Sequence, residues 1–427
     1  MSISIYDSRY YEETKELIKY LSDDAYIKHR ILVELHHFKK LSIILNLNLK
    51  MKDFREINQE DIVKIKEIEK ETNHDVKAIE YFLRIYLKEH IEDYNHDYLI
   101  HFGLTSQDIN SVAFGYNLRE ASIYITTLIN KLLEKLDDLI DKSKNIKMLA
   151  RTHGQPAIKM EMEQMITYYY NRIIKQQNKI ESSISHLTAK FGGAIGDHSA
   201  LKFILPNIDW NKYSDEVVSY FNLIRTHITT QIDSYDSYCN LFNDYKQLVI
   251  IIKDMNQNFW NYIKDGYFKQ LIIKTEIGSS TMPQKVNPID FENSLGQIEL
   301  FISNIEGITR SLPYSSYQRD IKDSTILRTI GEIYAKLVLI LKKTTKGISK
   351  LDINQVIINK DLEEHPEHLM EKIQIFLRFN KINNSYELVK DFCRGKENLS
   401  IIDIKDFIYS LNINSFQKQT LLSKLFK

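Results

Sequence analysis

Proline is scarce in this 427-residue chain. There are six, at positions 156, 206, 283, 288, 313 and 366, with none in the first 155 residues and none between 207 and 282. Proline removes a backbone donor and clashes with the preceding turn, so these gaps permit long helices. Cysteine is scarcer still. Cys239 and Cys393 can form one bridge at most, and no two cysteines sit at metal-ligand spacing. A disulfide framework is excluded, and a reducing compartment is expected. Long apolar runs are absent: LVIII at 248–252 is among the longest, far short of a bilayer span. The first residues, MSISIYDSRYYEETKE, lack a basic stretch followed by an apolar core, so no secretory signal is expected and the cytoplasm is the expected location. Net charge is missing too, with 57 basic residues against 57 acidic ones. A general nucleic-acid or anionic-membrane binder is usually basic, so neither partner is expected, although a local basic pocket for a small anion stays open.

What is present is helical periodicity. Leu118, Ile125, Leu132 and Leu139 recur every seven residues, with Ala121, Leu128 and Leu136 between them. They form one stripe on a helix of roughly ten turns. Similar patterns run through about 157–188, 232–265, 289–310 and 325–347, and strand-like alternation is scarce. Helices this long bury their stripes only against one another, so the expected fold is all-α, with a central bundle of long helices. At 427 residues the chain is too long for one compact core. The expected division is an N-terminal helical domain (1–100), a long-helix bundle domain (101–346) and a C-terminal helical domain (347–427), the last beginning where GISKLDINQ breaks the pattern.

Loops rich in small and polar residues interrupt the helices at few places, and helix ends are where backbone donors are free. GSSTMPQKVNP (278–288) supplies Gly278, the hydroxyls of Ser279, Ser280 and Thr281, and Lys285, Asn287 and Pro288. Pro288 suits the start of the next helix, whose N-terminus attracts anions. Read alone, the segment favours a polar connector. RTHGQP (151–156) places His153 at a Gly-Gln-Pro corner beside Arg151 and Thr152, where it is either a general acid or base or a structural histidine. Glu292, five residues beyond Asn287, is a carboxylate of the kind that orients an imidazole, but spacing does not put it near His153. SSYQRDIKDSTILR carries Arg319, Ser324, Thr325 and Arg328. Two arginines with hydroxyls between them suit a phosphate or carboxylate, or a solvated loop paired with Asp320 and Asp323.

Taken together, these segments resemble a known family. The glycine-serine-serine loop ending in Met-Pro-x-Lys-x-Asn-Pro resembles the signature of the fumarase/aspartase superfamily. SRY (8–10), TNHDVKAIEYFL (72–83), HFGLTSQDIN (101–110), RTHGQPA (151–157), TTQID (229–233), QRDIKDSTILR (318–328) and CRGK (393–396) follow in the order of its adenylosuccinate lyase branch, the bacterial type in particular. The resemblance runs from about residue 4 to the end and is weakest in the helices between motifs and in the last thirty residues.

The resemblance implies a three-domain homotetramer whose active sites are shared between subunits. It also implies β-elimination of fumarate from purine nucleotide substrates, adenylosuccinate and SAICAR, with no cofactor and no metal. By the same resemblance Ser279 is the general base, His153 the general acid and Glu292 its carboxylate partner, while Lys285 and Asn287 hold the succinyl carboxylates. Arg9, Tyr10, Arg319, Ser324, Thr325 and Arg328 fall on nucleotide and phosphate contacts. Asn73, His74, Asp75, Thr105, Ser106 and Gln231 fall on further substrate contacts. Gln284 is a position that varies within the signature. Argininosuccinate lyase, fumarase and a catalytically silent homologue are the competing expectations.

Overall fold

The stripe expected on residues 118–139 is buried. Its seven residues are each at most 4% exposed and lie on one helix, Ser106–Ser143. The computed structural model describes residues 4–271, 281–282, 284–396 and 399–426. In chain order its main elements begin with α1 (Asp23–Ile44), α2 (Gln59–Thr72), α3 (Asp75–His90) and α4 (Ser106–Ser143). A hairpin follows, β1 (Lys147–Thr152) and β2 (Gln155–Glu161), then α5 (Met162–Ser185), β3 (Thr188–Ala189), α6 (Trp210–Tyr220) and β4 (Ile224–Arg225). Next come α7 (Asp236–Lys264), β5 (Phe268–Gln270), α8 (Ile289–Ser311), α9 (Lys322–Leu327), α10 (Ile330–Ser349) and β6 (Leu351–Ile353). Five shorter helices close the chain: α11 (Gln355–Glu364), α12 (Met370–Phe379), α13 (Ser385–Cys393), α14 (Ile401–Ser410) and α15 (Ser415–Leu425). The strands form three two-stranded pairs, β1–β2 and β5–β6 antiparallel and β3–β4 parallel. The protein is therefore mostly α, as its proline-poor, helix-periodic sequence requires.

Two compact units divide the chain, residues 1–132, 173–254 and 292–345 in the first and residues 133–172, 255–291 and 346–427 in the second. In the first unit, Leu337, Val338, Leu339, Ile340 and Leu341 of α10 are all 0% exposed. Five successive buried residues cover every face of a helix, so this stretch of α10 lies in the middle of its unit. Each such aliphatic side chain contributes roughly 1.5–3 kcal/mol by leaving water. The second unit has a separate core under its last helices, formed by Ile373 and Leu377 of α12, Val389 of α13, Ile404 and Ile408 of α14 and Leu421 of α15. Local signals agree with these boundaries. Asn58 with Asp61, Ser400 with Asp403, and Asn414 with Gln417 form capping boxes at the starts of α2, α14 and α15.

Candidate active site

His153 sits at a hairpin tip, not at a helix corner. The pattern expected to be helical from about 157 is strand as far as Glu161, where pairing of Lys147 with Glu161 and of Met148 with Met160 uses the backbone groups that a helix would have used. Thr152 pairs with Gln155, so the loop is the two residues His153 and Gly154, with φ of 55° and 74°. Positive φ at both central residues is the requirement of a type I′ turn, which matches the twist of the flanking strands. The imidazole is exposed and has no hydrogen-bond partner among the described residues. The hairpin is braced two residues earlier. Arg151 donates to Asp361 Oδ1 of α11 at 2.7 Å and to the Tyr267 hydroxyl at 3.2 Å, and that hydroxyl donates to the other Asp361 oxygen. Burial pushes the Asp361 carboxyl up, but the donors Arg151 and Tyr267 outweigh it and hold the group below the usual carboxylate range.

The signature segment is partly described. Ser279 lies outside the described residues, as do Gly278, Ser280 and Pro283. Beyond them Lys285 is exposed and Asn287 half-buried. The backbone turns where Lys285 N–H meets Met282 C=O at 3.0 Å, and Gln270 Nε2 donates to Val286 C=O at 3.2 Å. Pro288 immediately precedes α8, whose first turn carries Asp290, held by Lys350 at 2.8 Å. His153, Lys285 and Asn287 belong to the second unit. Glu292, exposed, is the first residue of α8 in the first unit.

The remaining candidates lie in the first unit, where a cavity of about 320 Å³ is lined by Asp75, Ser324 and Arg328 among others. Arg30 of α1 is the organising cation. Its side chain is 7% exposed and donates to Asp75 at 2.6 Å and to Asn110 at 2.8 Å. Burial pushes Asp75 up, yet Arg30 outweighs this and holds the carboxyl below its usual range. Asn73 is the left-handed residue that ends α2, and His74 begins α3 by accepting from Lys77 N–H at 3.2 Å. Both are exposed. At the opposite end of the sequence, Arg319 donates to Gln231 Oε1 at 3.0 Å and approaches the Ser324 hydroxyl at 3.5 Å.

The arginines do not pair with Asp320 and Asp323; Asp320 pairs with Lys322 at 3.1 Å. Asp320 also caps backbone N–H groups of Ser316 and Lys322, and Asp323 accepts from the Tyr235 hydroxyl at 2.8 Å. Neither Arg319 nor Arg328 has a carboxylate within ion-pair distance among the described residues. Thr325 is exposed and outside the cavity lining. Arg9 is exposed, whereas Tyr10 accepts from Asn293 Nδ2 of α8 at 3.1 Å. Thr105 and Ser106 are half-buried at the start of α4, where Asp108 accepts from Thr105 N–H at 2.8 Å. Sequence alone does not single out Arg30, Asn110 or Tyr235. Arg30 has no local signal, because a charged residue in a helical pattern reads as a solvent-facing one.

This fold and these motifs define a lyase. A Lyase family model matches residues 7–301, and an Adenylosuccinate lyase C-terminal model matches residues 315–425. Among solved structures, a fumarate lyase from Mesorhizobium sp. has the same fold, with a TM-score of 0.74 at 12% identity over 96% of this chain and 97% of that one. A β-carboxy-cis,cis-muconate cycloisomerase from Acinetobacter calcoaceticus gives 0.71 at 14% identity, over 95% and 93%. The adenylosuccinate lyase of Dictyostelium discoideum is 39% identical over 96% of this chain and 92% of its own, and that of Legionella pneumophila strain Corby 34% over 99% and 94%. The chain belongs to the adenylosuccinate lyase family.

Proposed function

We propose that this enzyme releases fumarate by β-elimination from adenylosuccinate, giving AMP, and from SAICAR, giving AICAR. Family membership supports the reading. The observation that carries it is the cavity of about 320 Å³ on which Asp75, Ser324 and Arg328 converge, with Arg319 beside it donating to Gln231 rather than to a carboxylate. A guanidinium free of carboxylates suits a phosphate, with two parallel hydrogen bonds.

The residue roles belong to the same proposal. The proton to be removed lies on a carbon next to a succinyl carboxylate and is weakly acidic. Ser279 takes it, and the charge that develops on that carboxylate is met by Lys285, Asn287 and the N-terminus of α8. A neutral serine is a poor base in water, so the step calls for water to be excluded. The carbon–nitrogen bond then breaks, and His153, partnered by Glu292, protonates the departing nitrogen. Arg9, Tyr10, Arg319, Ser324, Thr325 and Arg328 hold the nucleotide and its phosphate. Asn73, His74, Asp75, Thr105, Ser106 and Gln231 complete the contacts. The enzyme acts as a homotetramer with sites shared between subunits, in the cytoplasm, with domains at 1–100, 101–346 and 347–427. Its long helices are those of the shared bundle, and among the described residues none is long and apolar enough to cross a membrane.

One assay tests the reaction. Purified protein is mixed with adenylosuccinate, and fumarate and AMP are followed. Fumarate from argininosuccinate or malate, with none from adenylosuccinate or SAICAR, would overturn the assignment.

A further inference from the structure

KFGGAIGDHSA (190–200) is a glycine-rich loop that none of the roles above uses. Its first residue, Lys190, is buried together with Asp108 of α4, both side chains at 0% exposure, with Nζ to Oδ1 at 2.7 Å. The ammonium also donates to Gly193 C=O. Asp108 is saturated. It accepts from Gly192 N–H at 2.7 Å on Oδ1, and from Gly193 N–H at 3.1 Å and Thr105 N–H at 2.8 Å on Oδ2. One carboxylate thus ties the turn bearing Thr105 and Ser106 to the glycine loop. The loop then presses on a third segment. A Cβ built on Gly196 would lie 2.3 Å from Thr229 Oγ1 and 2.9 Å from Thr229 C=O, so glycine alone allows the approach. Thr229 and Thr230 lead into Gln231, which holds Arg319, which reaches Ser324.

A fully buried ion pair carries a large desolvation cost, and a well-packed apolar pair in its place is often neutral or stabilising. Stability is therefore a poor account of Lys190. Burial pushes its ammonium below its usual value, with Asp108 opposing. Geometry is the better account, because the pair joins segments more than eighty residues apart, one carrying Thr105 and Ser106 and the other pressing on the segment that leads to Gln231.

We propose that Lys190, acting through Asp108, is a positioning residue that sets Thr105 and Ser106 in register with Gln231 and Arg319, so that one substrate meets both sets of contacts. This rests on the substrate-contact roles proposed above. Lys190→Met leaves Asp108 charged without its counter-ion, and Lys190→Met combined with Asp108→Asn removes both charges. The wild-type enzyme is assayed first, and its failure to release fumarate from adenylosuccinate would sink the functional reading whatever the variants do. With an active wild type, the expected result is a midpoint of thermal unfolding that falls in the single variant and recovers in the double one. The KM for adenylosuccinate is expected to stay at least tenfold raised in both, with kcat falling less. Lys190→Arg, which keeps the charge, is expected to recover part of the KM. A double variant that regains wild-type KM along with its stability, or that does not fold, would show the pair to be structural only and overturn the proposal.

Discussion

Replacing Asp361 with alanine should slow turnover without touching any group proposed to meet substrate. Asp361 is the acceptor for Arg151, two residues before His153, and for Tyr267. A hydrogen bond to a charged partner contributes roughly 1.5–3 kcal/mol to a fold. Here a single short contact is made at 2.7 Å, with side chains 28% and 16% exposed, so solvent screening argues for the lower end, about 1–2 kcal/mol. If that energy holds the hairpin tip in place, its loss costs kcat about tenfold, the rate equivalent of about 1.4 kcal/mol. KM should move less, because the proposed phosphate contacts lie on other segments. The assay is steady-state kinetics on adenylosuccinate, with circular dichroism to confirm the fold. Acid should mimic the substitution. The folded-state carboxyl is depressed, so its contribution is present above its unfolded pKa of about 3.9 and is lost as pH falls through the lower folded value. A kcat within twofold of wild type in a folded Asp361→Ala variant would refute the bracing argument.

Ser279→Ala should abolish turnover while substrate still binds by calorimetry, and wild-type-like turnover would remove its assignment as base. Arg328→Ala should raise KM more than it lowers kcat, and an unchanged KM would count against a phosphate contact at the cavity wall. Mixing inactive His153→Ala and Ser279→Ala proteins should restore some activity by subunit exchange. No recovery, once exchange is confirmed by mass measurement, would count against shared sites.

The long helices were legible because a heptad stripe such as Leu118–Ile125–Leu132–Leu139 has one physical solution, burial against other helices. The hairpin at 147–161 was not. Pro156 lies in β2 rather than at a helix start, and KMLART and QPAIKME carry too little alternation to announce strands. The start of α4 could have been found, since TSQD, a threonine with an acid three residues on before an apolar run, is a capping pattern. Most candidate site residues lay within motif segments, whereas Arg30 did not. Its burial follows from Asp75 and Asn110 closing around it, and tertiary contacts of that kind leave no local trace.

The turn at the hairpin tip constrains which inactive enzyme is worth making. A left-handed backbone at residue 153 is tolerated by histidine but favoured by asparagine, which heads such two-residue turns before glycine. Chemistry and backbone therefore compete at one position, and the wild type accepts a small conformational cost to keep an imidazole there. His153→Asn should relieve that cost while deleting the proposed acid. It would be at least as stable as the parent and would keep the hairpin's shape, making it a better trap for intact substrate than the alanine variant.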